Sequence, residues 1–178
     1  MKSLDKREKI LAGSTAILLA LIVFGATQNT GQGNNTAPNS DWQEVELNDV
    51  NSGEAFTVAE LEKPVLVETF AVWCPTCTNQ QTEIKEFHEQ SNVTSVSLNV
   101  DSNEDAQQIK RHTEENGFDW RYAISPPELT RMLVNEYGTT IANPPSAPAI
   151  LVCENGSRRL PNGVKPVSKL QEEVAKGC

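Results

Sequence analysis

The sequence predicts an α/β domain, and three observations carry that prediction. Residues 65–70, Val-Leu-Val-Glu-Thr-Phe, form a short β-branched run stopped by Pro64, which reads as a buried strand. The run leads into Trp73-Cys74-Pro75-Thr76-Cys77, after which Ile84 and Phe87 recur at helical spacing. Near the C-terminus an apolar strand at 149–152, a Glu154-Asn155-Gly156 turn and an edge strand at 157–160 precede a helix at 167–176. Val167, Leu170 and Val174 share one face of that helix.

The strand–Cys-x-x-Cys–helix order is a redox arrangement, and the start of the helix gives the physical reason. Pro75 suits the first helical position, where its missing N–H costs nothing, and this puts Cys74 at the N-cap. There the sulfur faces the unpaired N–H groups of the first turn and the positive end of the helix dipole. Both favour thiolate over thiol. Cys77 lies one turn on, near enough to close a disulfide, and is expected to be the more buried sulfur. Cys74 should therefore attack and Cys77 resolve. Half of a zinc site is one alternative, but zinc wants four ligands; Cys153 and Cys178 are distant, and His88 and His112 form no ligand pair. A purely structural disulfide is the other. No metal and no cofactor is expected.

Taken as a unit, PVLVETFAVWCPTC (64–77) resembles the thioredoxin superfamily, and within it the TlpA/ResA-like, membrane-tethered thiol-disulfide oxidoreductases. The likeness covers 42–178. It implies a thioredoxin-like fold, a central mixed sheet flanked by helices, with an N-terminal β-hairpin and an inserted strand–helix unit. Residues 93–101 resemble the family's next strand, 104–117 the added helix, 118–124 a short extra strand and 128–137 the helix before the cis-proline loop. Ser146 to Val152 has the form of that loop and the core strand after it. The resemblance implies that Pro148 is the cis proline, lying against the disulfide. Pro144 and Pro145 leave a trans proline in a Pro-rich loop as the alternative. It also implies that Ala147 offers its backbone N–H and C=O to an extended substrate, while Trp73, Pro75 and Thr76 shape the docking surface; a packing role alone is the alternative for Trp73. The helix at 78–89 departs from the family: it is polar, has Thr82 where a proline is common, and offers only Ile84 and Phe87 for packing.

Glu68 lies six positions before Cys74, where thioredoxins place a buried acid beneath the second cysteine. Its strand neighbours are apolar on both faces, which argues for burial. A buried carboxyl has a raised pKa and could take the proton of Cys77 near neutrality. A solvated Glu at a sheet edge is the bland alternative.

Residues 1–9 hold four basic and two acidic side chains, and 10–26 is an uncharged, mostly apolar run. Seventeen residues span about 25 Å as a helix, slightly short of a bilayer core of about 30 Å. The basic flank predicts a cytoplasmic N-terminus and a single-pass signal anchor, with a secreted, cleaved form as the alternative. Residues 27–41, rich in Asn, Gly and Thr, read as a flexible linker. Residues 42–58 read as two short strands about an Asn51-Ser52-Gly53 turn, with Trp42 in packing. His88 and His112 fall on polar helix faces and are expected to be solvated. With Cys74 and Cys77 paired, Cys153–Cys178 is the one remaining disulfide, a possible staple for the terminal helix; two free thiols are the alternative.

The net charge of −9 argues against nucleic acid and against anionic membrane surfaces as partners of the folded part. The expected function is thiol–disulfide exchange outside the cytoplasm on protein disulfide substrates, by a monomer. The resemblance points to a reductant drawing electrons from a membrane thiol carrier of the CcdA/DsbD type, with cytochrome c apoprotein or another exported protein as client. A disulfide-forming oxidant of the same fold and a redox-silent copper or assembly chaperone stay open, as does a peroxide-reducing enzyme.

Overall fold

The computed structural model describes residues 41–178; the segments read as cytoplasmic tail, membrane anchor and linker lie outside them, save Asp41. Among the described residues no helix is long and apolar enough to cross a membrane. The chain opens on a 3-10 turn at Trp42–Glu44, capped by the Asp41 carboxylate on the Gln43 N–H. A two-stranded hairpin follows, β1 (Leu47–Asn48) and β2 (Ala55–Phe56). Then come β3 (Val65–Phe70), α1 (Pro75–His88), β4 (Thr94–Asn99), α2 (Ala106–Asn116), β5 (Arg121–Ile124), α3 (Pro127–Tyr137), β6 (Ala149–Cys153), β7 (Gly156–Arg159) and α4 (Val167–Gly177). The large sheet has the order β5-β4-β3-β6-β7, with β3, β4 and β5 parallel and β6 and β7 antiparallel.

β3 is central and buried along its whole length, which is why it reads as a nearly continuous apolar run. Its alternation assigns the faces. Val65 and Val67 pack with Val96, Leu98, Ile150 and Val152 beneath Leu129 and Leu133 of α3. Leu66 and Phe70 face the other way and pack with Ile84 and Phe87 of α1, Ile109 of α2 and Leu170 of α4. Both cysteines of the motif belong to that second layer, and Glu68 shares the parity of Leu66 and Phe70.

The hairpin at 42–58 has the predicted turn, but its strands are only two residues each, because Asp49 occupies the turn. The Asp49 carboxylate accepts from the Ser52 N–H and hydroxyl and from the Tyr122 N–H at 3.1 Å, so the turn is pinned to the sheet edge. Trp42 is buried, its indole N–H donating to the Tyr137 hydroxyl at 3.1 Å. α2 begins at a capping box of Asp105 and Gln108 and ends at Gly117 with φ 64°, a left-handed cap that glycine adopts without penalty.

Cys153 and Cys178 are joined, with Cα atoms 5.2 Å apart, and tie α4 to the end of β6. The bridge closes a 25-residue separation. Cys178→Ser is expected to lower unfolding stability by about 3 kcal/mol, while leaving disulfide exchange at Cys74 within twofold. Denaturant unfolding together with an insulin-reduction assay checks both parts.

Candidate active site

The sulfur-bearing turn forms as its sequence dictates. Pro75 is the first residue of α1 and Cys74 its N-cap, with φ −91° and ψ 105°. The Cys77 N–H donates to Cys74 Sγ at 3.1 Å, so the sulfur receives a first-turn amide at the positive end of a 14-residue helix. Cys74 and Cys77 are disulfide-bonded, with Cα atoms 5.3 Å apart. The expected difference in burial is absent: Cys74 is 0 % and Cys77 1 % exposed. The 3-10 turn Pro144–Ser146 packs against α1 and brings the Pro144 carbonyl to 3.3 Å from Cys77 Sγ.

Trp73 is 57 % exposed beside the pair, its indole N–H donating to Asp101 Oδ2 at 2.6 Å. The Glu104 carboxylate accepts from the Val72 N–H at 2.8 Å and the Trp73 N–H at 3.3 Å. Two acids from the β4–α2 connection therefore fix the loop that delivers Cys74. Pro75 is exposed and Thr76 half-buried.

Pro148 is buried next to β3, where the Thr69 N–H reaches its carbonyl at 3.4 Å, but its isomer differs from the expectation. Among the described residues the one cis peptide bond is Lys63–Pro64, so Ala147–Pro148 is trans. The reversal of direction is made instead by Ala147, at φ 42° and ψ 57° in the left-handed region. Ala147 is 2 % exposed, and both of its backbone groups are engaged within the chain. Its N–H donates to Pro144 O at 2.8 Å, and its carbonyl accepts from Lys165 Nζ at 2.6 Å. The backbone of Ala147 is thus not free to pair with a substrate in this state.

Glu68 is 2 % exposed, so the solvated alternative falls away. Its partner in register across β4 is Ser97, whose hydroxyl donates to Glu68 Oε1 at 2.6 Å. Burial pushes the carboxyl up from 4.5 to about 7; Ser97, the Gln81 side chain and the Lys165 ammonium oppose that shift by favouring the ionised form. No hydrogen bond joins Glu68 to either sulfur of the oxidised pair.

The histidines depart from the expected solvation. His112 is buried, its Nε2 2.6 Å from Gln81 Oε1 and its ring stacked on Phe70, because Gln81 and Phe70 face it from α1 and β3. His88 bonds the Ser95 hydroxyl at 2.7 Å and meets the Trp120 ring edge-on. Burial lowers the pKa of both. Sequence reading also passed over Gln80, Gln81, Ser97, Glu104 and Lys165. A lone lysine between Val164 and Pro166 carries no motif, and the two glutamines look like the solvated face of a polar helix.

An α/β sheet that sets a joined Cys-x-x-Cys pair at the start of a helix defines a thiol–disulfide oxidoreductase of the thioredoxin fold. The chain belongs to the Redoxin family, whose model matches residues 32–157. The same fold occurs in a secreted Mycobacterium tuberculosis disulfide oxidoreductase homologous to E. coli DsbE. It is 16 % identical, with a TM-score of 0.60 over 76 % of this chain and 97 % of that one. StoA from Bacillus subtilis is 20 % identical, with a TM-score of 0.51 over 71 % and 92 %. A SCO1/SenC family lipoprotein from Bacillus anthracis is 15 % identical, with a TM-score of 0.58 over 74 % and 91 %. No curated protein matches the sequence.

Proposed function

We propose that the protein reduces disulfides of exported proteins outside the cytoplasm, using Cys74 as nucleophile and Cys77 as resolving thiol. The carrying observation is Cys74 at the N-cap of α1 with the Cys77 amide on its sulfur, an arrangement that favours thiolate in the reduced enzyme. The Cys74 thiolate attacks a client disulfide, forming a mixed disulfide and releasing one client thiolate. Cys77 then gives up its proton, with Glu68 as the acceptor, and attacks Cys74 Sγ. The second client thiolate leaves, and Cys74–Cys77 is oxidised. A membrane thiol carrier of the CcdA/DsbD type would return the two electrons, and cytochrome c apoprotein is the client class the resemblance suggests. The basic segment at 1–9 and the apolar run at 10–26 support a tether with an extracytoplasmic domain.

The equilibrium potential of the Cys74/Cys77 couple against glutathione tests the direction of flow. A value near about −270 mV is expected of a reductant; one near about −120 mV would make the protein a disulfide-forming oxidant instead.

A further inference from the structure

Lys165 is a buried amine to which the exchange chemistry above gives no part. It is 3 % exposed, and its Nζ donates to three carbonyls: Ala147 and Gly163 at 2.6 Å and Pro161 at 3.3 Å. Its own backbone is clamped to α1 by one side chain. The Lys165 N–H donates to Gln80 Oε1 at 2.7 Å, and Gln80 Nε2 donates to the Lys165 carbonyl at 3.3 Å. Gln80 is itself 0 % exposed and lies one turn beyond Cys77. A relay of contacts then runs from the ammonium to the second sulfur. Lys165 Nζ holds the Ala147 carbonyl, the Ala147 N–H donates to Pro144 O, and Pro144 O faces Cys77 Sγ. In the reduced pair, that carbonyl is where the Cys77 S–H would donate.

We propose that Lys165 is a positioning residue of the redox pair: held on α1 by Gln80, it fixes the left-handed turn at Ala147 and so sets the Pro144 carbonyl against Cys77. Two physical facts make the tie consequential. A non-glycine residue at φ 42° keeps that conformation only when its surroundings hold it there, and here the holding group is a cation on its carbonyl. The proposal rests on Cys77 being the resolving thiol, because a turn that places the Cys77 proton matters only at the step in which Cys77 attacks. The charged and titrating groups around Lys165 fit the same role. Burial lowers its pKa to about 8, Glu68 of β3 opposes that shift, and Arg159 of β7 adds to it. Glu68 in turn faces Ser97 of β4, Gln81 of α1 and Tyr122 of β5. The ammonium persists at neutral pH and favours the ionised Glu68 carboxylate.

The test uses the full-length chain with Cys153 and Cys178 both replaced by serine, so that only the active-site thiols report. The reduced protein is mixed with 5,5′-dithiobis(2-nitrobenzoate), and thionitrobenzoate release is followed in time. The first equivalent leaves when Cys74 attacks the reagent, and the second when Cys77 displaces thionitrobenzoate from Cys74. Lys165→Met is expected to leave the first release within about twofold and to slow the second about tenfold, the scale of a small misplacement of reacting groups. Below pH 7 the slowing should deepen, because the lost ammonium favoured ionised Glu68. Lys165→Arg should recover at least half of the lost rate. An unchanged second release, or equal slowing of both releases, overturns the proposal. A parent protein that releases only one equivalent contradicts the role of Cys77 itself and takes this inference with it. If Lys165→Met does not fold, Lys165→Gln carries the test with the same slowing of the second release expected.

Discussion

Cys77→Ser is expected to convert the enzyme into a trap for its own clients. Cys74 keeps its N-cap position, since Pro75 and the first turn of α1 do not depend on the sulfur of residue 77. Its thiolate still attacks a client disulfide, but no second thiol lies beneath it to release the product. Turnover in insulin reduction should fall by about 1,000-fold or more, while a covalent adduct through Cys74 accumulates to one per chain. Cys74→Ser should abolish turnover equally and accumulate nothing. The contrast between the variants assigns the roles, and mass spectrometry of non-reduced samples reads it. An adduct on Cys77 in Cys74→Ser would reverse the assignment.

Glu68→Gln should produce the second large effect, and its two readouts have opposite signs. Glu68 is fully buried and its pKa is raised above the ordinary carboxylate value, from 4.5 to about 7. Between those pH values the folded chain holds a proton that the unfolded chain has released. Stability therefore falls as pH rises through that window, and the penalty is complete above about pH 7. Its full size is ~3 kcal/mol. Glutamine carries no charge to bury, so Glu68→Gln should be more stable than the native protein at pH 8 by up to ~3 kcal/mol, with little gain at pH 4.5. Activity should move the other way. The resolving step should slow about tenfold or more and lose the rise in rate through neutrality expected of a native carboxylate that accepts the Cys77 proton. Denaturant unfolding at the two pH values and the pH profile of insulin reduction check the pair. A variant with an unchanged profile would leave Glu68 as a buried burden with no part in proton transfer.

Those expectations rest on parts of the molecule that were unequally legible in the sequence. β3, the Cys-x-x-Cys turn and α1 could be read because Pro64, the β-branched run and Pro75 act locally, and local rules suffice for them. The resemblance then carried the sheet and its inserted unit, and α2 and β5 lie where it placed them. The polar half of the site was harder. Ser95, Ser97 and Asn99 alternate with Val96 and Leu98, a pattern that reads as one face in water. Both faces are in fact buried, because the serines meet Glu68, His88 and the Trp120 indole rather than solvent. The glutamines of α1 misled in the same way: a helix that looked too polar to pack is held by buried amide contacts to Lys165 and His112. Such partners come from segments 31 and 85 residues away, a separation no local pattern spans.

Pro148 shows a different limit. Its place against β3 follows from the apolar strand behind it, whereas the isomer of the bond before it depends on the turn that precedes it. Ala147 takes up the reversal there and is held by a lysine that follows β7 in the chain. Neither the left-handed residue nor its anchor leaves a trace in the Pro-Pro-Ser-Ala-Pro run itself.

The proposed chemistry depends on the start of α1 making Cys74 acidic, which the rate of iodoacetamide alkylation of Cys74 in the reduced protein, followed from pH 4 to pH 10, reports. A midpoint well below the value of about 8.5 for an ordinary cysteine is expected for Cys74. A midpoint at or above about 8.5 for Cys74 would contradict it.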